Sequence, residues 1–143
     1  MKLKSILVCA VVAILLLLVA CSPTQKQASV EVSCDDFMKV NHLSQEVEVS
    51  ADGTLTVTLC SNPTTGFLWS ESAQISDQTV LQQTGHGFLT APESQAMMGA
   101  PGKEVWTFQA LKKGESTISM EYSRPWEGGE KGAWTFALTV VVK

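Results

Sequence analysis

The chain has 143 residues, four cysteines and a formal net charge of −4, and 45% of its residues are hydrophobic. That length suggests one domain. The acidic balance excludes a nucleic-acid binder, since nothing would neutralise phosphates, and it argues equally against a polybasic membrane-surface patch.

The first element is not part of a fold. Met1–Lys4 carries two lysines, and Ile6–Ala20 is an unbroken, uncharged and almost wholly aliphatic run. A run of about 15 residues falls short of the roughly 20 that span a bilayer. With its basic start it fits the hydrophobic region of a signal peptide. It ends in Leu18-Val19-Ala20-Cys21, which has the form of a lipobox. Residues 1–20 therefore read as a lipoprotein signal peptide and Cys21 as the lipid acceptor, with an ordinary secretory signal as the alternative. At about 0.8 kcal/mol per buried CH₂, two or three acyl chains would anchor the protein durably. The expected location is extracytoplasmic, in the cell envelope, held to a membrane through Cys21. Losing Lys2 and Lys4 leaves eight basic against 14 acidic residues, a net charge of −6.

Ser22–Ser33 is polar and reads, with Cys21, as a flexible tether, so that the folded domain spans 34–143. Cys9 leaves with the signal and Cys21 takes lipid, so Cys34 and Cys60 remain. An even pair in an oxidising compartment points to a disulfide. Closing a loop of roughly 25 residues is worth about 3 kcal/mol in the chain-entropy model. The alternatives are a zinc site with His42 and His86, or a catalytic Cys/His pair. No CxxC or HxxxH spacing supports zinc, and no cofactor is expected.

Strand after short strand follows. Val47 and Val49 alternate with Glu46, Glu48 and Ser50, then Ala51-Asp52-Gly53 forms a tight turn, because Asp-Gly favours positive φ. Leu55, Val57 and Leu59 alternate with threonines, and the two runs read as a half-buried hairpin. Phe67–Ala73, with Trp69, is a third strand; Thr79–Gln83 and His86–Thr90 are weaker candidates. Glu104–Leu111 places Trp106, Phe108 and Ala110 on one face, and Thr117–Tyr122 does the same with Ile118, Met120 and Tyr122. Ala133–Val142 closes the chain with Trp134, Phe136, Leu138, Val140 and Val142 on one face. No segment after residue 30 holds helical periodicity over three turns. Seven or eight strands with frequent turns point to an all-β, immunoglobulin-like sandwich; a small barrel is the second choice.

Three connections break the pattern. Asn62-Pro63-Thr64-Thr65-Gly66 is stiff: Pro63 fixes its own φ and biases Asn62 away from helix, and Gly66 permits a conformation that other residues resist. Such a loop loses little entropy on binding. Its plainer reading is a well-made strand connection. Ala91–Lys103 contains Met97-Met98-Gly99-Ala100-Pro101-Gly102. Its methionines read as adaptable contact residues or as a flap over the sandwich edge. Ser123–Gly132 contains Arg124-Pro125-Trp126-Glu127. Trp and Arg often carry interface energy, although Trp126 could instead fold back onto the core or stack on Arg124.

In order and spacing, Asn62-Pro63-Thr64-Thr65-Gly66, Gly99-Ala100-Pro101-Gly102 and Arg124-Pro125-Trp126-Glu127 resemble the three motifs of the chagasin family, protein inhibitors of papain-like cysteine peptidases. The resemblance covers roughly Glu46 to Lys143, and the middle motif is the loosest match. It implies an immunoglobulin-like sandwich with all three loops at one end. Thr64 and Thr65 would sit nearest the peptidase's catalytic cysteine. Arg124, Pro125 and Trp126 would pack against one wall of the cleft, and Gly99–Gly102 against the other. The function it implies is reversible, competitive inhibition by a monomer, with no enzymatic activity. The competing reading is a non-inhibitory surface binding or adhesion lipoprotein, since such sandwiches host many functions. An enzyme is disfavoured because neither histidine neighbours a nucleophile and no carboxylate pair sits in the loops.

Overall fold

The computed structural model describes residues 26–89 and 99–143. The segment expected to be a signal peptide, Cys21, Met97 and Met98 lie outside the described residues. The elements are β1 (Gln27–Val32), a single helical turn α1 (Cys34–Phe37), β2 (His42–Val49), β3 (Thr54–Ser61), β4 (Leu68–Trp69), β5 (Gln74–Ile75), β6 (Leu81–Leu89), β7 (Gly102–Ala110), β8 (Gly114–Ser123) and β9 (Trp134–Val142). One sheet has the order β1-β3-β7-β6 and the other β2-β9-β8-β4, with β5 also on β8. They pack face to face as an immunoglobulin-like sandwich.

Alternation dictates the core. Leu55, Val57, Leu59, Trp106 and Phe108 of the first sheet are buried against Ile118, Met120, Phe136, Leu138 and Val140 of the second. Intervening residues on β7, β8 and β9 are partly exposed, as a period of two requires.

Four expectations change. The polar stretch before Cys34 is not all tether: Gln27–Val32 forms β1, parallel to β3 from Gln27 opposite Thr54 to Val32 opposite Leu59. Ala28 and Val32 are buried, and their alternation with Ser29 and Glu31 was hidden by the polar composition around it. Second, the expected hairpin does not form. β2 runs parallel to β9 and β3 antiparallel to β7, so the 51–53 turn crosses between sheets. Alternation reads the same for strands lying side by side and strands facing each other across a sandwich. Third, the strand expected over Phe67–Ala73 pairs with β8 only at Leu68–Trp69, and β8 pairs again at Gln74–Ile75. Fourth, the two weak strands are one, β6, with its register shifted between Gln83 and Gly85. A bulge there breaks the alternation.

Candidate functional site

The three unusual connections join strand ends that the sheets place together. Ser61, at the end of β3, lies opposite Gly102 at the start of β7. Leu89, at the end of β6, lies opposite Lys103. In the other sheet Ser123 pairs with Leu68 and Tyr122 with Trp134. The 62–66 loop passes from β3 to β4 and so from one sheet to the other. All three connections therefore emerge at one pole.

Beneath them lies an aromatic cluster. Phe37, Phe67, Trp69, Tyr122 and Trp134 contact one another with ring centroids 5.0 to 6.0 Å apart. Offset and edge-on rings at such distances add to the burial term. Trp69 Nε1 donates to Cys60 O at 2.9 Å, and the Tyr122 hydroxyl accepts from Asn62 N at 2.8 Å. The base of the first loop is thus fastened to both sheets. Cys34 and Cys60 form a disulfide with Cα atoms 5.0 Å apart. It staples α1 beside that base, so the two cysteines are neither a zinc site nor a nucleophile. His42 is bonded to Thr135 Oγ1 at 2.9 Å in the other sheet.

The first loop is ordered by its own side chains. Pro63–Thr65 is one 3₁₀ turn. Asn62 Oδ1 accepts from Thr64 N at 3.3 Å and from Thr64 Oγ1 at 2.6 Å. Asn62 O accepts from Thr65 N at 3.1 Å and from Thr65 Oγ1 at 2.7 Å. Pro63 O accepts from Gly66 N at 3.0 Å. Gly66 ends the turn at φ +80°, a left-handed value that a Cβ would resist. Pro63, Thr64 and Thr65 are exposed.

The other two loops touch the first. Asn62 Nδ2 donates to Gly99 O at 3.1 Å. Trp126 lies against Gly66 so closely that a Cβ there would stand 2.6 Å from the indole Cη2. Trp126 is nonetheless 52% exposed and does not fold into the core; Arg124 Cζ lies over its ring at 5.9 Å, at the outer edge of a cation–π contact. Arg124 places Cζ closer, 4.4 Å, over the Phe67 ring. Its Nε is buried without a hydrogen-bond partner, and the ring face supplies the compensating attraction. Lys131 Nζ clasps the third loop by donating to Trp126 O at 3.0 Å and to Arg124 O. Arg124 thus supports the surface while Pro125 and Trp126 form it.

Gly102 is not on that surface. It is a buried residue of β7, where a Cβ would meet Phe88 Cζ at 2.5 Å. Gly99, Ala100 and Pro101 are the outward part of the middle segment.

Sequence reading missed two supports. Glu104 is only 5% exposed; it accepts from Ser61 Oγ at 2.6 Å and faces His86 Nε2 at 2.8 Å. This pairing joins the strand ends that carry the first two loops. Its signal was a glutamate on the apolar face of β7, in step with Trp106 and Phe108. The other is α1. Ser33 Oγ accepts from Asp36 N at 3.1 Å as its N-cap. The Ser33 hydroxyl, and after it Lys39, hold the Asp36 carboxyl below its ordinary value. Among the hollows of the described residues are two of similar size. One of about 460 Å³, walled largely by amides and hydroxyls such as Gln78, Gln83 and Thr84, runs along β6 and touches none of the three loops. The other, about 470 Å³, lies between α1 and the loops.

Residues 48–140 match the family described as chagasin family peptidase inhibitor I42. Amoebiasin-2 of Entamoeba histolytica is 28% identical over 97 residues, which span 68% of this chain and 76% of that protein. Among solved structures, the cysteine protease inhibitor EhICP2 of Entamoeba histolytica superposes with a TM-score of 0.60 at 22% identity, over 82% of this chain and 97% of that one. PbICP-C, solved in complex with falcipain-2, also gives 0.60, at 18% identity, over 81% and 99%. At such identities the two structural likenesses speak for the fold alone. The family match, which takes in the greater part of the chain and both the first and third loops, makes this protein a member of the chagasin family of peptidase inhibitors.

Proposed function

We propose that the protein is a reversible, competitive inhibitor of papain-like cysteine peptidases, and that the three loops fill the enzyme's cleft together. The observation that carries this reading is the linkage of the loops into one surface: Asn62 to Gly99 on one side, Trp126 against Gly66 on the other. Asn62–Gly66 forms the centre, Gly99–Pro101 one flank, and Pro125 with Trp126 the second flank backed by Arg124.

Inhibition without turnover has a physical basis here. A thiolate attacks a carbonyl held in near-attack geometry. The carbonyls of Asn62 and Pro63 are engaged by hydrogen bonds inside the turn, and Pro63, Thr64 and Thr65 are its exposed residues. A pre-ordered wedge also loses little entropy on docking. The interface should be of standard size, about 1,600 Å² in total. The test is an assay of papain on a fluorogenic substrate with the full-length chain added. Competitive, reversible loss of turnover is expected; full turnover with inhibitor in excess defeats the reading.

The lipobox completes it. Cys21 carries the membrane anchor and the inhibitor stands in the cell envelope. The start of β1 favours this arrangement: Gln27 pairs with Thr54, at the pole away from the loops. Only five residues separate it from Cys21, at most roughly 22 Å of chain. The loops would then face away from the bilayer. Mass spectrometry of the mature N-terminal peptide should find acylated Cys21; an unmodified cysteine there removes the anchor.

A further inference from the structure

The hollow of about 470 Å³ opens on the same pole as the loops. Phe37, Phe67, Trp134 and the Cys34–Cys60 disulfide wall it, and Asn62, Thr65, Pro101 and Arg124 stand at its rim. Those four rim residues come from all three loops. Its volume is within the ~300–1,000 Å³ of sites that bury a ligand or a large side chain. Met38 also lines it, and it is 75% exposed, the highest value for a large hydrophobic residue among the described residues; Val40 beside it is 44% exposed. Phe37 is buried in the aromatic cluster, so α1 is seated from below while Met38 projects from its end. Ser33 caps it and the disulfide ties it to the base of the first loop. An exposed apolar patch beside an apolar hollow marks an interaction surface, and methionine adapts to irregular partners.

We propose that the stapled segment Ser33–Val40 is a fourth peptidase-contacting element, and that the hollow seats an apolar side chain from the enzyme surface beside the cleft. This rests on the inhibitory reading above. Continuity decides the occupant: any body seated on the three loops also covers the hollow's rim. A lipid surface fits poorly, because Asp35 and Asp36 outnumber Lys39 in the segment, Lys39 is paired with Asp36, and residues 21–143 carry a net charge of −6.

The test compares inhibition of papain by the full-length wild type, Met38→Asp and Trp126→Ala. Both substituted residues are exposed, so the variants should unfold at the wild-type midpoint. Expected is a rise of about fivefold or more in the inhibition constant for Met38→Asp, and slowed hydrogen exchange across residues 33–40 on complex formation. If Trp126→Ala weakens inhibition and Met38→Asp does not, the fourth contact is overturned while the three-loop reading stands. If the wild type does not inhibit, both fall. Self-association of the free wild type that Met38→Asp abolishes would assign the hollow to a second copy and overturn the proposal.

Discussion

The two poles of the sandwich are built by different means. At the pole away from the loops, backbone bonds between strand ends and turns predominate, joined by Asp77 and Ser116 side chains at the connection into β6. Ala51 N donates to Lys143 O, Asp52 N to Ala110 O, Thr54 N to Lys26 O and Leu111 N to Val80 O, all within 2.8 to 3.0 Å. The connections there are short, and the 51–53 turn stitches both sheets. At the loop pole the connections are longer, and side chains add to their backbone turns: Asn62 Nδ2 on Gly99 O, Tyr122 on Asn62, Lys131 on the third loop, and a disulfide. Side-chain fastening leaves Thr64, Thr65 and Trp126 presented on a fixed base.

That difference can be broken from either end. The largest expected effect comes from Cys34→Ala with Cys60→Ala, which should remove about 3 kcal/mol of stability, read by denaturant unfolding; an unchanged midpoint would mean that the aromatic cluster alone holds the pole. Next, Trp126→Ala should weaken inhibition by about 2 kcal/mol or more with an unchanged unfolding midpoint. Unchanged inhibition constants would take Trp126 off the contact surface. At the opposite pole, Gly53→Ala should do the reverse. Its Cβ would meet Ser50 O at 2.7 Å and Lys26 O at 2.8 Å, and overpacking of this kind costs about 1–3 kcal/mol. The unfolding midpoint should fall while the inhibition constant of the folded protein holds. A change in inhibition would show the poles to be coupled. The smallest effect is Pro63→Ala, about 0.5–1 kcal/mol on inhibition through looser unbound order; calorimetry should place it in the entropy, and a far larger loss would mean that Pro63 itself touches the enzyme.

α1 adds a pH term with a definite sign. The Asp36 carboxyl lies below its ordinary value of 3.8 because the Ser33 hydroxyl, then Lys39, favour its charged form. Its contribution is present above that ordinary value and fades as pH falls through the lowered one. Hydrogen exchange at α1 should therefore quicken only in strong acid.

Much of the site was legible because its signals are local. Pro63 stiffens one turn and Gly66 tolerates one left-handed φ; both act within a few residues. The supports were not. Glu104 reads as a misplaced charge on β7 until Ser61 and His86, on two neighbouring strands, come within hydrogen-bond reach. Gly102 reads as loop until β3 pairs with it. Met38 is an unremarked residue until Phe37 is drawn into the cluster and leaves it facing out.

By itself, the sequence determined which residues face inward, where the chain turns, that Cys34 and Cys60 could pair, and which three connections were unlike ordinary turns. Each depends on the period-two geometry of a strand or on the φ preferences of single residues. Only the tertiary structure decided the rest: that β2 and β3 lie in different sheets, that β1 joins the first sheet and starts at the far pole, that Trp126 rests on Gly66, and that α1 stands beside the loops. Alternation specifies a strand's face but not its neighbour. The choice of neighbour is made by burial and hydrogen bonds between residues far apart in the chain, after the strands have met.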